Sequence, residues 1–115
     1  MSEANSQYGA LLSIEPDQLG FQYYYAVTCT ADSTLREEGI QRLIALEDKM
    51  ESEGERLFFL ALAYQHIEDF KQATKVFDRA IANSDKNSEW LEEAEFRLVQ
   101  CDALQDLAPP TISIS

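Results

Sequence analysis

The chain has 115 residues, of which 45% are hydrophobic, and its formal net charge is −12. This length suits one domain, which we expect to span residues 1–108, followed by a flexible tail at residues 109–115. The acidic balance argues against nucleic-acid binding, since phosphate contacts need clustered Lys and Arg. The same charge disfavours anionic membrane surfaces, and no apolar run approaches the roughly 20 residues that span a bilayer.

The composition also predicts helices and a reducing compartment. The chain has only four Gly and three Pro, and it is rich in Ala, Leu, Glu and Gln, which favour helices. Cys29 and Cys101 lie far apart within helical patterns, so we expect two buried free thiols rather than a disulfide scaffold. The sequence begins without the pattern of a secretory leader, so we expect a cytoplasmic protein.

The N-terminal half is predicted to form a short helical segment and one helix pair. Residues 1–15 carry an apolar cluster that suits one or two helical turns. Pro16 is expected in the first turn of a helix that runs to about Ala31. The sequence Thr34-Leu35-Arg36-Glu37 has the form of a capping box, which predicts the start of the second helix of the pair.

The C-terminal half carries two more capping boxes and a last helix. Ser52-Glu53-Gly54-Glu55 predicts a helix to about His66, and Asp69-Phe70-Lys71-Gln72 predicts one to about Asn83. A final helix, entered at Trp90, is expected to cover the flank of this second pair, as terminal repeats do. Its predicted inner positions are Leu91, Ala94, Leu98, Cys101 and Leu104.

Small and large apolar residues recur in the second pair with the spacing of the tetratricopeptide repeat. They are Leu57, Leu60, Ala61, Tyr64, Ala73, Phe77 and Ala80. Two antiparallel helices pack closely only where small residues let the backbones cross, which we assign to Ala61 and Ala73. In a more degenerate first copy, Gly39 takes the place of Ala73. The sequence therefore predicts an all-α, tetratricopeptide-like antiparallel bundle of two helix-pair repeats, with an N-terminal segment and a C-terminal capping helix.

In stacked helix pairs of this kind, the first helix of each pair lines a concave groove that binds a partner peptide or helix. The predicted lining residues are Phe21, Tyr24, Thr28 and Ala31 in the first pair and Glu55, Phe58, Leu62 and Gln65 in the second. Phe58 and Leu62 are too apolar for a bare surface. Two occupants stay open: an apolar partner peptide, or the chain's own N-terminal segment through Tyr8, Leu11 and Leu12.

We expect no catalytic, cofactor or metal site, and we predict that the protein is not an enzyme. The single His, His66, has no nucleophile at a supporting spacing. The acidic run from Glu47 to Glu55 lacks the alternating ligands and central Gly of a calcium loop. Lys71, Lys75 and Arg79 form a basic row on one helix, which is either a solvent-facing row or a docking stripe for an acidic partner.

Two segments resemble the mitochondrial fission-one adaptor family. Phe21–Ala26 followed by Gly39-Ile40 is similar to the first helix pair of that family. Arg56–Ala61, continuing to Phe70–Ala73, is similar to the second pair in the same register. The resemblance covers roughly residues 21–83, and generic tetratricopeptide repeats share about half of its motifs.

The resemblance implies a six-helix bundle with a concave apolar surface. Members recruit dynamin-like GTPases, directly or through an adaptor, to the cytosolic face of mitochondria or peroxisomes, where a C-terminal tail anchors them. Carried over by position, Tyr25, Ala26, Phe58, Leu60 and Ala61 line or support the groove. No such tail occurs within these 115 residues, so we expect no membrane contact by this chain itself.

Two alternative functions stay open, a soluble tetratricopeptide assembly subunit and a co-chaperone-type module. The co-chaperone type clamps the terminal carboxylate of a peptide with Lys, Arg and Asn on the groove face. This sequence has Glu55, Phe58, Phe59 and Leu62 at those places, which disfavours a clamp.

Overall fold

The computed structural model describes residues 3–47, 49, 53–85 and 87–107. Within them the chain forms helices and no strand, so the predicted all-α helical bundle is confirmed. The helices are α1 (Glu3–Ile14), α2 (Leu19–Ala31), α3 (Arg36–Ala45), α4 (Glu53–His66), α5 (Phe70–Ala82) and α6 (Leu91–Leu107). The predicted tail at residues 109–115 lies outside the described residues.

Each helix packs against its neighbour in the chain. The closest associations are α2 with α3, α4 with α5, and α6 with α5, while α1 packs on α2. The main core lies between the α4–α5 pair and its neighbours, where Leu57, Phe77 and Leu43 are fully buried. The two predicted pairs and the C-terminal helix on the second pair are therefore present.

The α2–α3 crossing depends on the missing side chain of Gly39. A Cβ atom there would lie 2.7 Å from both Cγ2 and the backbone N of Thr30, and 2.9 Å from the Ala26 carbonyl oxygen. Such separations are far inside van der Waals contact, so the backbones could not approach this closely with any other residue. In the second pair Ala61 and Ala73 are both fully buried. Small residues thus occupy the buried positions that the repeat pattern assigned to them.

Of the two predicted capping boxes that lie within the described residues, one forms the expected cap and the other does not. Asp69 caps α5 by accepting a hydrogen bond from the Gln72 backbone N–H, as predicted. At α3, Leu35 is the N-cap residue and makes no side-chain cap. The Thr34 hydroxyl instead donates to the Asp32 carboxylate, which also accepts from the Thr34 backbone N–H, and this local turn replaces the predicted box.

The N-terminal region also departs from expectation. α1 spans 12 residues, about three turns rather than one or two. Pro16 lies in the turn before α2, and Gln18 caps that helix by accepting from the Gly20 backbone N–H. The remaining predicted box begins at Ser52, which lies outside the described residues.

A buried Arg56 joins the two pairs. Its side chain is 1% exposed, and its Nε and Nη2 groups donate to the two oxygens of Glu53 at 2.8 and 2.7 Å. Its Nη1 group donates to the Leu43 carbonyl oxygen at 2.7 Å, near the end of α3. Each of the three guanidinium nitrogens thus donates one hydrogen bond. The guanidinium therefore fixes the start of α4 against the end of α3. The hydrogen bonds from Arg56 hold the pKa of Glu53 below its ordinary value.

We predict that Gly39→Ala destabilises the protein although alanine favours helices. Alanine gains about 1 kcal/mol of helix propensity over glycine. The overlap of its Cβ atom with Thr30 and Ala26 outweighs this gain, and the expected net loss of unfolding free energy is about 1–3 kcal/mol. The control is Gly20→Ala, where a Cβ atom meets only the Gln18 Oε1 atom at 3.8 Å. Urea unfolding should show a loss for Gly39→Ala and a small gain for Gly20→Ala. Equal stability of the two variants would contradict the close crossing.

We also predict that stability falls with acid through Glu53. Because its pKa is lowered in the folded state, the stabilisation is present at neutral pH. It is lost as the pH falls from the ordinary pKa of a glutamate, about 4.3, through the lower pKa of Glu53 in the folded state. Urea unfolding across this range should show a shallower pH dependence for Glu53→Gln than for the wild type. Glu38→Gln, at an exposed pair with Arg42, should keep the wild-type slope, and an unchanged slope in Glu53→Gln would refute the assignment.

Candidate interaction surface

The groove residues predicted on α2 lie beside α1. Tyr24 stacks on Tyr8 with ring centroids 5.5 Å apart. The side-chain amide of Asn5 donates to the Thr28 hydroxyl at 2.9 Å and to the Cys29 sulfur at 3.3 Å. α1 therefore covers part of the face that α2 was expected to offer to a partner.

The predicted α2 residues keep different degrees of exposure. Tyr24 and Ala31 remain exposed at their outer sides, whereas Phe21, Tyr25 and Thr28 are half-buried. The Tyr25 ring lies under the Arg42 guanidinium, 4.8 Å from centroid to Cζ. Tyr25, which the resemblance placed at the groove, thus faces α3 as well as α1.

In the second pair, Phe58 is part of the core and not an open lining residue. It is 6% exposed, and its ring stacks on Trp90 at 5.6 Å and lies 6.1 Å from the Phe77 ring. Trp90 fits there because Gly54 has no side chain: a Cβ at Gly54 would lie 2.8 Å from the indole Cζ2. The residue that covers Phe58 therefore comes from the entry to α6.

The described side chain that stacks on Phe58 is Trp90, which was neither of the two occupants that the sequence left open. Tyr8 packs on Tyr24, and α1 has its contacts with α2, so the two ends of the chain cover different parts of the predicted groove. Leu11 is 37% exposed, and Leu12 is half-buried.

The remaining predicted residues on α4 lie close to α6. The Gln65 amide donates to the Gln100 side-chain oxygen at 3.0 Å, and Arg97 donates to the Gln65 oxygen at 2.8 Å. Leu62, one turn earlier, is half-buried, as is Glu55 at the start of the helix. The C-terminal half of α4 is thus held beside the middle of α6.

An apolar face of α6 was not found by the sequence reasoning. Phe96 is 64% exposed and Val99 is 70% exposed, and with exposed Ala103 they recur at helical spacing on one side. We call Phe96, Val99 and Ala103 the open face of α6. The opposite side, through Ala94 and Cys101, is fully buried against the bundle.

A repeat signal could have located this face. Phe96 and Val99 follow Leu62 and Gln65 by 34 positions, the same offset that separates Gly39 from Ala73. The repeat pattern therefore assigns groove-lining positions to the last helix too. Our prediction treated α6 only as a cap and named its inner positions, of which Leu104 is exposed at the edge.

Other groups singled out in the sequence show no catalytic arrangement. Lys71, Lys75 and Arg79 are all exposed on α5, and Arg79 pairs with Glu47 at 3.2 Å. His66 ends α4, where partial burial lowers its pKa. Cys29 and Cys101 are free and buried, as expected.

Two absences hold for the part of the chain that the structure describes. There, no group of three or more His, Cys, Asp or Glu side chains is placed to hold a metal ion. Among the same residues, no helix combines the length and apolar character needed to cross a bilayer.

Comparisons of the chain with protein-family models, with curated proteins and with solved structures find no match.

We predict that Phe58→Ala destabilises the protein by about 3–5 kcal/mol, because the change leaves a cavity between Trp90 and Phe77. Phe96→Ala, the same change at an exposed site, should alter the unfolding free energy by less than about 0.5 kcal/mol. Trp90 is the only Trp, so its fluorescence reports the loss of the Phe58 contact directly. Similar stabilities and spectra for both variants would mean that Phe58 is not covered by Trp90.

Proposed function

We propose that the protein is a non-enzymatic interaction module that binds an apolar segment of a partner protein along the open face of α6. The supporting observation is the exposure of Phe96 and Val99 on the side of α6 opposite to the buried residues Ala94 and Cys101. Burying a large apolar side chain that is exposed in the free protein contributes roughly 1.5–3 kcal/mol to binding. A contiguous pair of such residues is typical of a protein–protein site.

The surrounding charges indicate the chemistry of the partner. Glu92, Glu95 and Asp102 are exposed on α6 around the open face. Together with the net charge of −12, they favour a segment that combines apolar anchors with Lys or Arg at its edges. An amphipathic helix of that kind meets both requirements, because its apolar face fits a helical groove and its basic rim meets the acidic side chains.

The tetratricopeptide pattern and the resemblance to the fission-one adaptors make this proposal more specific. On that basis the partner is a dynamin-like GTPase or its adaptor, recruited at the cytosolic face of mitochondria or peroxisomes. The open face then continues the groove of the α2–α3 and α4–α5 pairs onto α6. The alternative is a soluble tetratricopeptide assembly subunit, which uses the same face within a stable complex.

The test is quantitative affinity capture from cell extract with three forms of the protein. Phe96→Asp places a charge on the open face and should reduce the capture of proteins that bind this face at least tenfold. The reason is that a few large anchoring side chains carry most of the binding free energy of an interface. Ile14→Asp is the matched control, because Ile14 is an equally exposed apolar residue, 75% accessible, on α1. Circular dichroism should be the same for all three forms.

The identity of the proteins that depend on Phe96 then separates the two versions of the proposal. Loss of division GTPases or their adaptors supports recruitment to dividing membranes, whereas loss of a defined soluble complex supports the assembly subunit. If the set captured by Phe96→Asp equals that captured by the wild type and by Ile14→Asp, the open face is not the binding site.

A further inference from the structure

A separate pocket lies where α1, α2 and the end of α3 meet. Its volume is about 450 Å³, within the roughly 300–1,000 Å³ of small-molecule sites. Gly9 and Ser13 of α1 and Tyr25 of α2 line it together with two charged residues, Arg42 of α3 and Lys49, which we call its rim. The pocket uses residues 9–49, so it is distinct from the open face of α6.

The rim gathers positive charge in a strongly acidic protein. Arg42 and Lys49 are two of only nine Lys and Arg residues, against 21 Asp and Glu. None of the described residues that line the pocket is acidic. Lys49 makes no ion pair or side-chain hydrogen bond with any described residue, so its ammonium group is available to a ligand.

The Arg42 side chain is held in place, but only part of its hydrogen-bonding capacity is used by described residues. Its Nε group donates to Glu38 at 2.8 Å, and its guanidinium lies 4.8 Å above the Tyr25 ring. These contacts engage one edge and one face of the guanidinium, while its Nη1 and Nη2 groups donate to none of the described residues. A preorganised guanidinium with two unused donors suits a carboxylate, which binds such donors in a bidentate way.

The local charge balance indicates a singly charged ligand. Among the described residues that line the pocket, Arg42 and Lys49 contribute two positive charges, and Glu38 pairs with Arg42. One negative charge therefore neutralises the pocket, whereas a dianionic phosphate would leave an excess within an acidic protein. A carboxylate fits this balance better than a phosphate.

The other half of the lining is apolar. Leu12, Pro16, Ala45 and Leu46 contribute aliphatic surface next to the Tyr25 ring. Ligand sites usually combine such surface with a few polar groups that fix orientation. The polar rim and the apolar wall lie together in one pocket, so the ligand they suit has both characters.

We propose that this pocket binds a carboxylate carried on a compact apolar body, as in a branched or aromatic organic acid or the C-terminal residue of a peptide. The carboxylate meets Lys49 and the free edge of Arg42, and the apolar body contacts Leu12, Ala45 and the Tyr25 ring. A free organic acid and a peptide C-terminus share this chemistry. They differ only in whether a peptide chain precedes the apolar residue that carries the carboxylate.

The test is an NMR titration of the ¹⁵N-labelled protein with N-acetyl-leucine, using N-acetyl-leucinamide as the uncharged control probe. We expect saturable shifts at Leu12, Tyr25 and Ala45, with a dissociation constant of roughly 1 mM for the acid. The amide probe should bind several-fold more weakly. Acetyl-Ala-Ala-Leu with a free carboxylate then distinguishes the sources, since tighter binding than N-acetyl-leucine indicates a peptide terminus and weaker binding indicates a free acid.

Variants at two exposed lysines provide the control. Lys49→Gln should weaken binding of N-acetyl-leucine about threefold, the scale of an exposed ion pair, and should leave the amide probe unaffected. Lys75→Gln, on α5, should change neither. The proposal is overturned if the acid and amide bind equally, if no saturable shift occurs, if Lys49→Gln has no effect, or if inorganic phosphate binds more tightly than the acid. None of these outcomes bears on the open face of α6.

Discussion

The structure depends on how closely α2 and α3 approach at Gly39. The Thr30 and Ala26 backbones occupy the space where a Cβ atom would lie. Once this crossing is set, Ile40 and Leu43 of α3 are carried into the core beneath α2 and next to α4. In the second pair, Ala61 and Ala73 are fully buried in the core. At the α2–α3 crossing, a missing side chain permits backbone proximity and larger neighbours fill the remaining space.

Two side chains, Arg56 and Trp90, then determine which surfaces of the stacked pairs are buried. Arg56 fixes the second pair against the first through Glu53 and the Leu43 carbonyl, with its guanidinium almost fully removed from solvent. Trp90 fills the space above Gly54 and stacks on Phe58. Both ends of the chain therefore cover parts of the α2 and α4 faces, while Phe96 and Val99 stay exposed together on one side of α6.

Of the two predicted capping boxes within the described residues, only Asp69 caps its helix as predicted. The sequence was nonetheless sufficient for the helices, their pairing and the burial of the small residues, because these follow from local periodicity. It was insufficient where distant segments meet. No sequence pattern assigned a role to the Arg56 side chain, and only the proximity of the α3 carboxyl end explains its burial. Gly54 looked like part of a helix start, although it makes room for an indole 36 positions later. Phe58 was assigned to an open groove because the position of Trp90 over it cannot be read from spacing.

For the candidate surface, too, the sequence contains the local pattern but not the packing between distant segments. The repeat offset alone would have predicted groove positions for Phe96 and Val99, but their exposure depends on which side of α6 faces α5. That orientation is the central claim, and thiol labelling tests it directly. In the folded protein, the thiol introduced by Val99→Cys should react at the rate of a free thiol, while native Cys101 and Cys29, both fully buried, stay unlabelled until unfolding. Rapid labelling of Cys101, or protection of the new thiol at position 99, would show that α6 is turned the other way and that its open face does not exist.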